Sequence, residues 1–235
     1  MTQFSIYPIS ERAVTLEFGN AIDLATHNKV MQYYAAIQSA RMPGFIECVP
    51  AYTTLTLYFD LKKIDQSELE GENAFQKVKN FIWTLKINSD TNGFTDKLIE
   101  IPVCYEETFG IDLSELAMKN NLSIQDIVKL HSEIEYTVFM IGFAPGFPYM
   151  GEIDERLVCA RRANPRKKVP AGSVAIAGRQ TGIYPFDTPG GWQIIGRTPV
   201  DLFSITRNPA SLLQAGMRVK FSPITLTEFE KLNRA

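Results

Sequence analysis

Residues 142–197 hold nine of the chain's fifteen glycines and six of its thirteen prolines. No other feature constrains the fold as much. Glycine serves where φ turns positive or where another group must come close to the main chain, and proline fixes φ and removes a donor. The stretch opens with GFAPGFPYMG, passes through RRANPRKKVPAGSVAIAGRQTGIYP and closes on TPGGWQIIGRTP. A core seldom needs so many backbone exceptions. Residues 161–197 also carry seven Arg or Lys and one acid, Asp187. Backbone N–H groups bared by glycine, next to guanidinium groups, make a site for anions. This stretch reads as the working surface and the rest mainly as scaffold.

Upstream, the pattern is different. Residues 13–18 (AVTLEF) alternate as a strand. Asp23 can cap a helix running to about Ala40, with Val30, Tyr34 and Ile37 on one face. Pro43-Gly44 stops it, and residues 45–49 and 53–59 follow as strands. A second helix is expected over 72–87, striped by Phe75, Val78, Ile82 and Leu85. The order β-α-β-β-α predicts a small α+β domain of ferredoxin-like type over residues 1–90. The polar stretch 88–95 (NSDTNGFT) reads as a linker. A strand at 98–105 and helices at 112–120 and 123–132 come next, the last with Ser123 and Asp126 at capping-box spacing. From Tyr136 onward, helical periodicity gives way to short apolar runs separated by Gly and Pro. That spacing predicts an all-β barrel or closed sheet within a second domain, 96–225.

Composition excludes several classes. The formal net charge is −2, so no global basic field argues for nucleic acid. The chain is locally dipolar, because residues 101–160 carry ten acids and three bases. Cys48, Cys104 and Cys159 are odd in number and far apart, which fits a reducing compartment. The N-terminus has neither a basic start nor an apolar run, and no stretch approaches the ~18 apolar residues that cross a bilayer. A cytoplasmic protein with no membrane contact is expected. With two histidines, no Cys-x-x-Cys and no H-E-x-x-H, no metal site is expected. Walker, Rossmann and nucleophile-elbow signatures are missing too.

The candidate residues come from what is present. His131, at i+4 from Ile127 and i+7 from Ile124, lies on an apolar stripe. It is either a buried structural imidazole or an acid–base group emerging beside residues 143–149. His27, at a helix start, reads as surface. Gly142, Pro145 and Gly146 fix a loop on which Phe143, Phe147 and Tyr149 can wall a pocket. Arg162, Arg166 and Lys168 offer planar forks and a point charge for carboxylate or phosphate. Ser173, Gln180, Tyr184, Thr188 and Trp192 add donors, and Gly190-Gly191 reads as a turn with free N–H groups.

These blocks resemble the signatures of the KipI / PxpB family, the B subunits of bacterial 5-oxoprolinases. That family is similar to one half of the carboxyltransferase region of urea carboxylase (allophanate hydrolase subunit 1-like). The likeness runs from AVTLEFG through the His131 helix to the three blocks above. It implies a cyclophilin-like β-barrel for the second domain. It also implies a component of a bacterial, ATP-hydrolysing 5-oxoprolinase that converts 5-oxo-L-proline to L-glutamate. The chain would be inactive alone and would work with two partners, a KipA-like C subunit together with the A subunit. Its ATP would be a co-substrate, with Mg2+ supplied alongside. His131, Arg162 and Lys168 would be catalytic. Gly142, Pro145, Gly146, Phe147, Arg166, Ser173, Gln180, Tyr184, Thr188, Gly190, Gly191, Trp192 and Arg197 would line half of a shared substrate/ATP site. The family's other roles are inhibition of a sporulation sensor histidine kinase and partnership in a carboxyltransferase-like, amide-processing complex.

Overall fold

The structure is a computed structural model that describes residues 4–87 and 97–233. The expected linker, residues 88–95, lies outside the described residues. The chain forms two compact units, Met1–Thr95 and Asp96–Ala235.

The first unit runs β1 (Ser5–Ser10), β2 (Ala13–Glu17), α1 (Leu24–Ser39), β3 (Phe45–Pro50), β4 (Thr54–Phe59), α2 (Leu61–Asp65) and α3 (Ala74–Thr84). Its sheet order is β1-β2-β4-β3, antiparallel throughout. β4 therefore sits between β2 and β3, the strands that α1 connects. Asp23 caps α1 by accepting from the Thr26 N–H, as its sequence position predicts. Val14, Leu16, Leu55, Leu57 and Phe59 face Val30, Ile37, Val78 and Ile82 in one core. Two features depart from expectation. β1 precedes the β-α-β-β-α run and supplies a fourth strand, which Pro8 masks in the sequence. His27 is fully buried, with Nδ1 3.1 Å from the Ala51 carbonyl oxygen, so it is a core residue and not surface.

The second unit contains β5 (Leu98–Val103), α4 (Leu113–Asn120), α5 (Ile124–Ser132), β6 (Glu135–Ile141), β7 (Pro148–Gly151), β8 (Arg166–Val169), β9 (Ser173–Ala177), β10 (Gln180–Ile183), β11 (Thr188–Gly190), β12 (Gln193–Arg197), β13 (Arg218–Pro223) and α6 (Leu226–Leu232). Seven strands form a curved sheet in the order β12-β9-β10-β7-β6-β13-β5. The sheet is partly open. Its edge strands meet at one point, where Cys104 and Arg197 exchange backbone hydrogen bonds of 2.8 and 3.0 Å. The two helices expected at 112–120 and 123–132 are α4 and α5, and because they contribute Leu113, Leu116 and Ile127 to the main core the all-β label for this domain is corrected to α+β. The capping box of Ser123 and Asp126 is formed.

β9 shows how the sheet positions the site. Val174 and Ile176 point to the main core, while Ala175 and Ala177 point to a second, smaller core with Phe147, Val169, Tyr184, Trp192 and Ile194. This end of the sheet is buried on both faces. The cover on its second face includes the ribbon β8–β11, which in the sequence looks like a basic loop and a free turn. Gly172 joins that ribbon to β9 at φ +79°, and a Cβ there would collide with the Thr198 carbonyl oxygen. Gly172→Ala is expected to lower unfolding free energy by about 2 kcal/mol or more, from left-handed strain plus that clash; urea titration measures it.

Candidate functional site

A buried carboxylate organises the basic segment. Asp112 stands at the N-cap of α4, yet its side chain does not cap that helix. One oxygen accepts from Arg162 Nη1 at 3.0 Å and from Arg166 Nη2 at 2.6 Å. The other accepts from the Ile194 N–H at 2.6 Å, and the Asp112 N–H returns a bond to the Ile194 carbonyl. Only 2% of Asp112 is exposed, so without these partners its charge would be strongly disfavoured. Helix α4, strand β12 and the basic ribbon are thus tied at one residue. Sequence reasoning misses Asp112, because an Asp at a helix start is already explained as a cap.

Above this anchor lies a cleft of about 180 Å³, walled by Phe143, Phe147, Tyr149, Tyr184 and Trp192 and edged by Arg161, Arg162 and Gly191. Phe147 is central. Its ring lies 4.8 Å from Tyr149, 5.2 Å from Tyr184 and 5.6 Å from Trp192, tilted or edge-on in each case. Such packing is rigid; Phe147, Tyr184 and Trp192 are nearly buried in it, and Phe143 is the exposed ring of the group. Arg161 is exposed, with its guanidinium 6.0 Å from the Trp192 ring centroid. Burial raises the pKa of the Tyr149 and Tyr184 hydroxyls, so both stay protonated donors at neutral pH. The loop before β7 bends through Phe143 at φ +66° and Gly146 at φ +82°. A side chain at Gly146 would meet Phe203 Cβ at 2.8 Å, so proline and glycine here fix the rim of the cleft. Gly190 is flush against Tyr184, whereas a Cβ at Gly191 would make only ordinary contact with Pro165 at 3.5 Å, and the Gly191 carbonyl accepts from the Arg162 N–H at 2.7 Å.

Phe147, Tyr184, Gly190, Gly191, Trp192 and Arg162 therefore come together, and Arg166 reaches them through Asp112. Other expected site residues fall elsewhere. Lys168 is 70% exposed and paired with Asp187 at 2.7 Å, with no part in lining the cleft. Lys168 and the Ala171 N–H together hold the Asp187 carboxyl below its usual range. Arg197 donates to the Ala171 carbonyl at 2.8 Å and lies over Phe109. Ser173 is buried at the start of β9. Pro145 is exposed at the loop tip, and Gly142 bonds the Phe147 carbonyl within the loop. Gln180 Nε2 and Thr188 Oγ1 are buried without a partner among the described residues.

His131 belongs to the core. It has no exposed surface, and its ring stacks on Phe221 at 4.5 Å. Nδ1 lies 2.7 Å from the Tyr105 hydroxyl and Nε2 2.8 Å from Thr181 Oγ1. Thr181 in turn donates to the Ala175 carbonyl, so it accepts from Nε2–H, and Tyr105 donates to Nδ1. This relay uses each hydrogen once and fixes a neutral imidazole. Burial pulls its pKa down to about 3. The acid–base role anticipated for it is corrected, since the ring is sealed from solvent and both nitrogens are occupied.

The chain matches the family described as "Carboxyltransferase domain, subdomain C and D" over residues 4–213. It is 40% identical to the B subunit of 5-oxoprolinase from Bacillus subtilis (strain 168) over 229 residues, 97% of this chain and 95% of that one. It is 39% identical to the corresponding B subunit from Escherichia coli O157:H7, across 95% of this chain and 97% of the relative. The crystal structure of TTHA0988 superposes with a TM-score of 0.78 at 32% identity, covering 91% of this chain and 40% of that longer one.

Two measurements test the site's architecture. Asp112→Asn is expected to cost about 3–5 kcal/mol in urea unfolding, because it leaves two half-buried guanidinium groups without their carboxylate. The depressed His131 pKa sets a pH dependence. Below the unfolded value near 6.5 the unfolded chain takes up a proton that the folded one refuses, so stability falls with pH down to about 3. Wild type should lose about 2 kcal/mol more than His131→Gln between pH 7 and pH 5.

Proposed function

The chain belongs to the carboxyltransferase-domain family, subdomains C and D, in its branch of 5-oxoprolinase B subunits, and from that premise we propose that it is the B component of an ATP-driven 5-oxoprolinase. The reaction opens the lactam of 5-oxo-L-proline to L-glutamate in concert with A- and C-type partners, the latter paralogous to this chain. A lactam is a poor electrophile. Phosphoryl transfer from ATP to its oxygen releases ADP and activates the ring carbon; one water adds there, the carbon–nitrogen bond breaks with the nitrogen leaving as the amine and an acyl phosphate remaining on the side chain, and a second water hydrolyses that acyl phosphate to L-glutamate and inorganic phosphate. Such chemistry is mostly positioning and charge stabilisation.

The observation that carries this reading is the aromatic cleft edged by Arg161 and Arg162. Its rings hold a flat substrate and its guanidinium groups receive anionic oxygens. The set proposed to touch substrate or nucleotide is Arg161, Arg162, Phe147, Tyr184, Gly191 and Trp192, with Arg166 as support and Lys168 left out. The described residues contain no cluster of three or more His, Cys, Asp or Glu fit to hold a metal ion. This chain's own groups bind, orient and exclude water. The curved sheet is read as a cyclophilin-like barrel, a reading supported by the Cys104–Arg197 pair between its edge strands.

The test is glutamate release from 5-oxo-L-proline and ATP. The chain alone should turn over at less than about 1% of the rate with its A- and C-type partners present, the scale on which missing transition-state donors are felt. Robust turnover by the chain alone would refute the proposal. Lys168→Ala should leave the complex within about twofold of wild type, as expected for an exposed ion pair.

A further inference from the structure

We infer that the aromatic cleft takes the lactam amino acid itself, its carboxylate toward Arg162, and that the nucleotide binds elsewhere; this rests on the functional reading above.

Size decides first. About 180 Å³ equals roughly six waters at ~30 Å³ each. That suits a five-membered ring bearing one carboxyl group. It is well below the ~300–1,000 Å³ of clefts that enclose larger ligands, so a nucleoside triphosphate would leave most of its length outside. A purine base alone would fit by volume, and charge excludes it. Arg162 and Arg166 share the single buried carboxylate of Asp112. Glu115, half exposed, adds only a 3.8 Å contact to Arg162. Arg162 Nε and Arg166 Nη1 are buried with no hydrogen-bond partner among the described residues. These two nitrogens are closed off from the cleft, and the charge that faces it comes from the accessible part of Arg162, 31% exposed, and from exposed Arg161, both of which edge the cleft and can receive an anionic oxygen. A neutral base would offer the guanidinium groups only uncharged acceptors, which make weaker bonds than a carboxylate. A small planar carboxylate satisfies both halves of the cleft: its ring lies against Trp192 and Tyr184, and its charge meets Arg162.

The experiment compares Arg161→Gln, Arg162→Gln and Trp192→Phe with wild type in the three-component complex, measuring KM for each substrate separately. KM for 5-oxo-L-proline should rise about tenfold or more in the arginine variants, the loss expected for a charge-assisted bond, while KM for ATP stays within about twofold. Arg161→Gln keeps the comparison decisive if Arg162→Gln fails to fold, since the Arg161 side chain is exposed and does not share the Asp112 carboxylate. A rise in the ATP constant alone, or no change in either, overturns the inference while wild-type turnover leaves the functional reading standing. Absence of wild-type turnover in any mixture defeats that reading instead. The cleft is then judged by calorimetric titration of 5-oxo-L-proline into the full chain: heat that Arg162→Gln abolishes supports it, and no heat with wild type overturns it.

Discussion

One carboxylate holds the second unit's working end together. Asp112 receives two guanidinium groups and a backbone N–H, and its own N–H closes a reciprocal bond with Ile194. The partners come from two parts of the chain, the basic segment at residues 162–166 and strand β12. A hydrogen bond to a buried charge is stronger than one to a neutral group, because little solvent competes with it. Removing any one partner therefore disturbs the others. The orientation of Arg162 over the cleft is a consequence of this arrangement, not of any rigidity in the residues around it.

The aromatic floor depends on the same end of the sheet. Small residues on one face of β9, Ala175 and Ala177, leave room for Phe147 and Trp192, while Val174 and Ile176 fill the main core behind them. Gly182 continues the pattern: a Cβ there would meet Phe147 Cζ at 2.9 Å. The glycines of the signature blocks thus do two separate jobs. Gly146 and Gly172 take positive φ, and Gly182 and Gly190 yield space to rings. Both jobs lead to one outcome, a shallow pocket whose walls are set before anything binds.

Much of this was legible in the sequence because it is local. Caps at Asp23 and Ser123, the strand alternation of residues 54–59, and the apolar stripe of α3 each declare themselves within a few residues. What escaped is non-local. Asp112 and Arg166 are 54 positions apart, and nothing near Asp112 announces a partner. The basic run at residues 166–169 looks like a solvated loop until its pairing with β11 is known. The two histidines show the limit most clearly. His27 reads as surface because the helix start beside it is polar, and only the turn carrying Ala51 and Tyr52 buries it. For His131 the stripe position was informative, and of its two readings the structural one matches a ring with both nitrogens spent on Tyr105 and Thr181.

The Asp112 trio also bears on why such a cluster persists. A buried ion pair is a poor way to gain stability, since desolvation consumes most of its Coulomb energy and well-packed apolar residues often do as well or better. An apolar replacement here would keep α4 on β12 but would leave the cleft with aromatic walls and no fixed cation. Two arginines on one acid, with Arg162 Nε and Arg166 Nη1 unpartnered among the described residues, form an arrangement that is incomplete as a stability device. The local excess of positive charge is tolerable because Arg162 and Arg166 are each only partly buried, 31% and 20% exposed. That partial exposure keeps the desolvation penalty moderate, since the accessible part of each guanidinium retains its water.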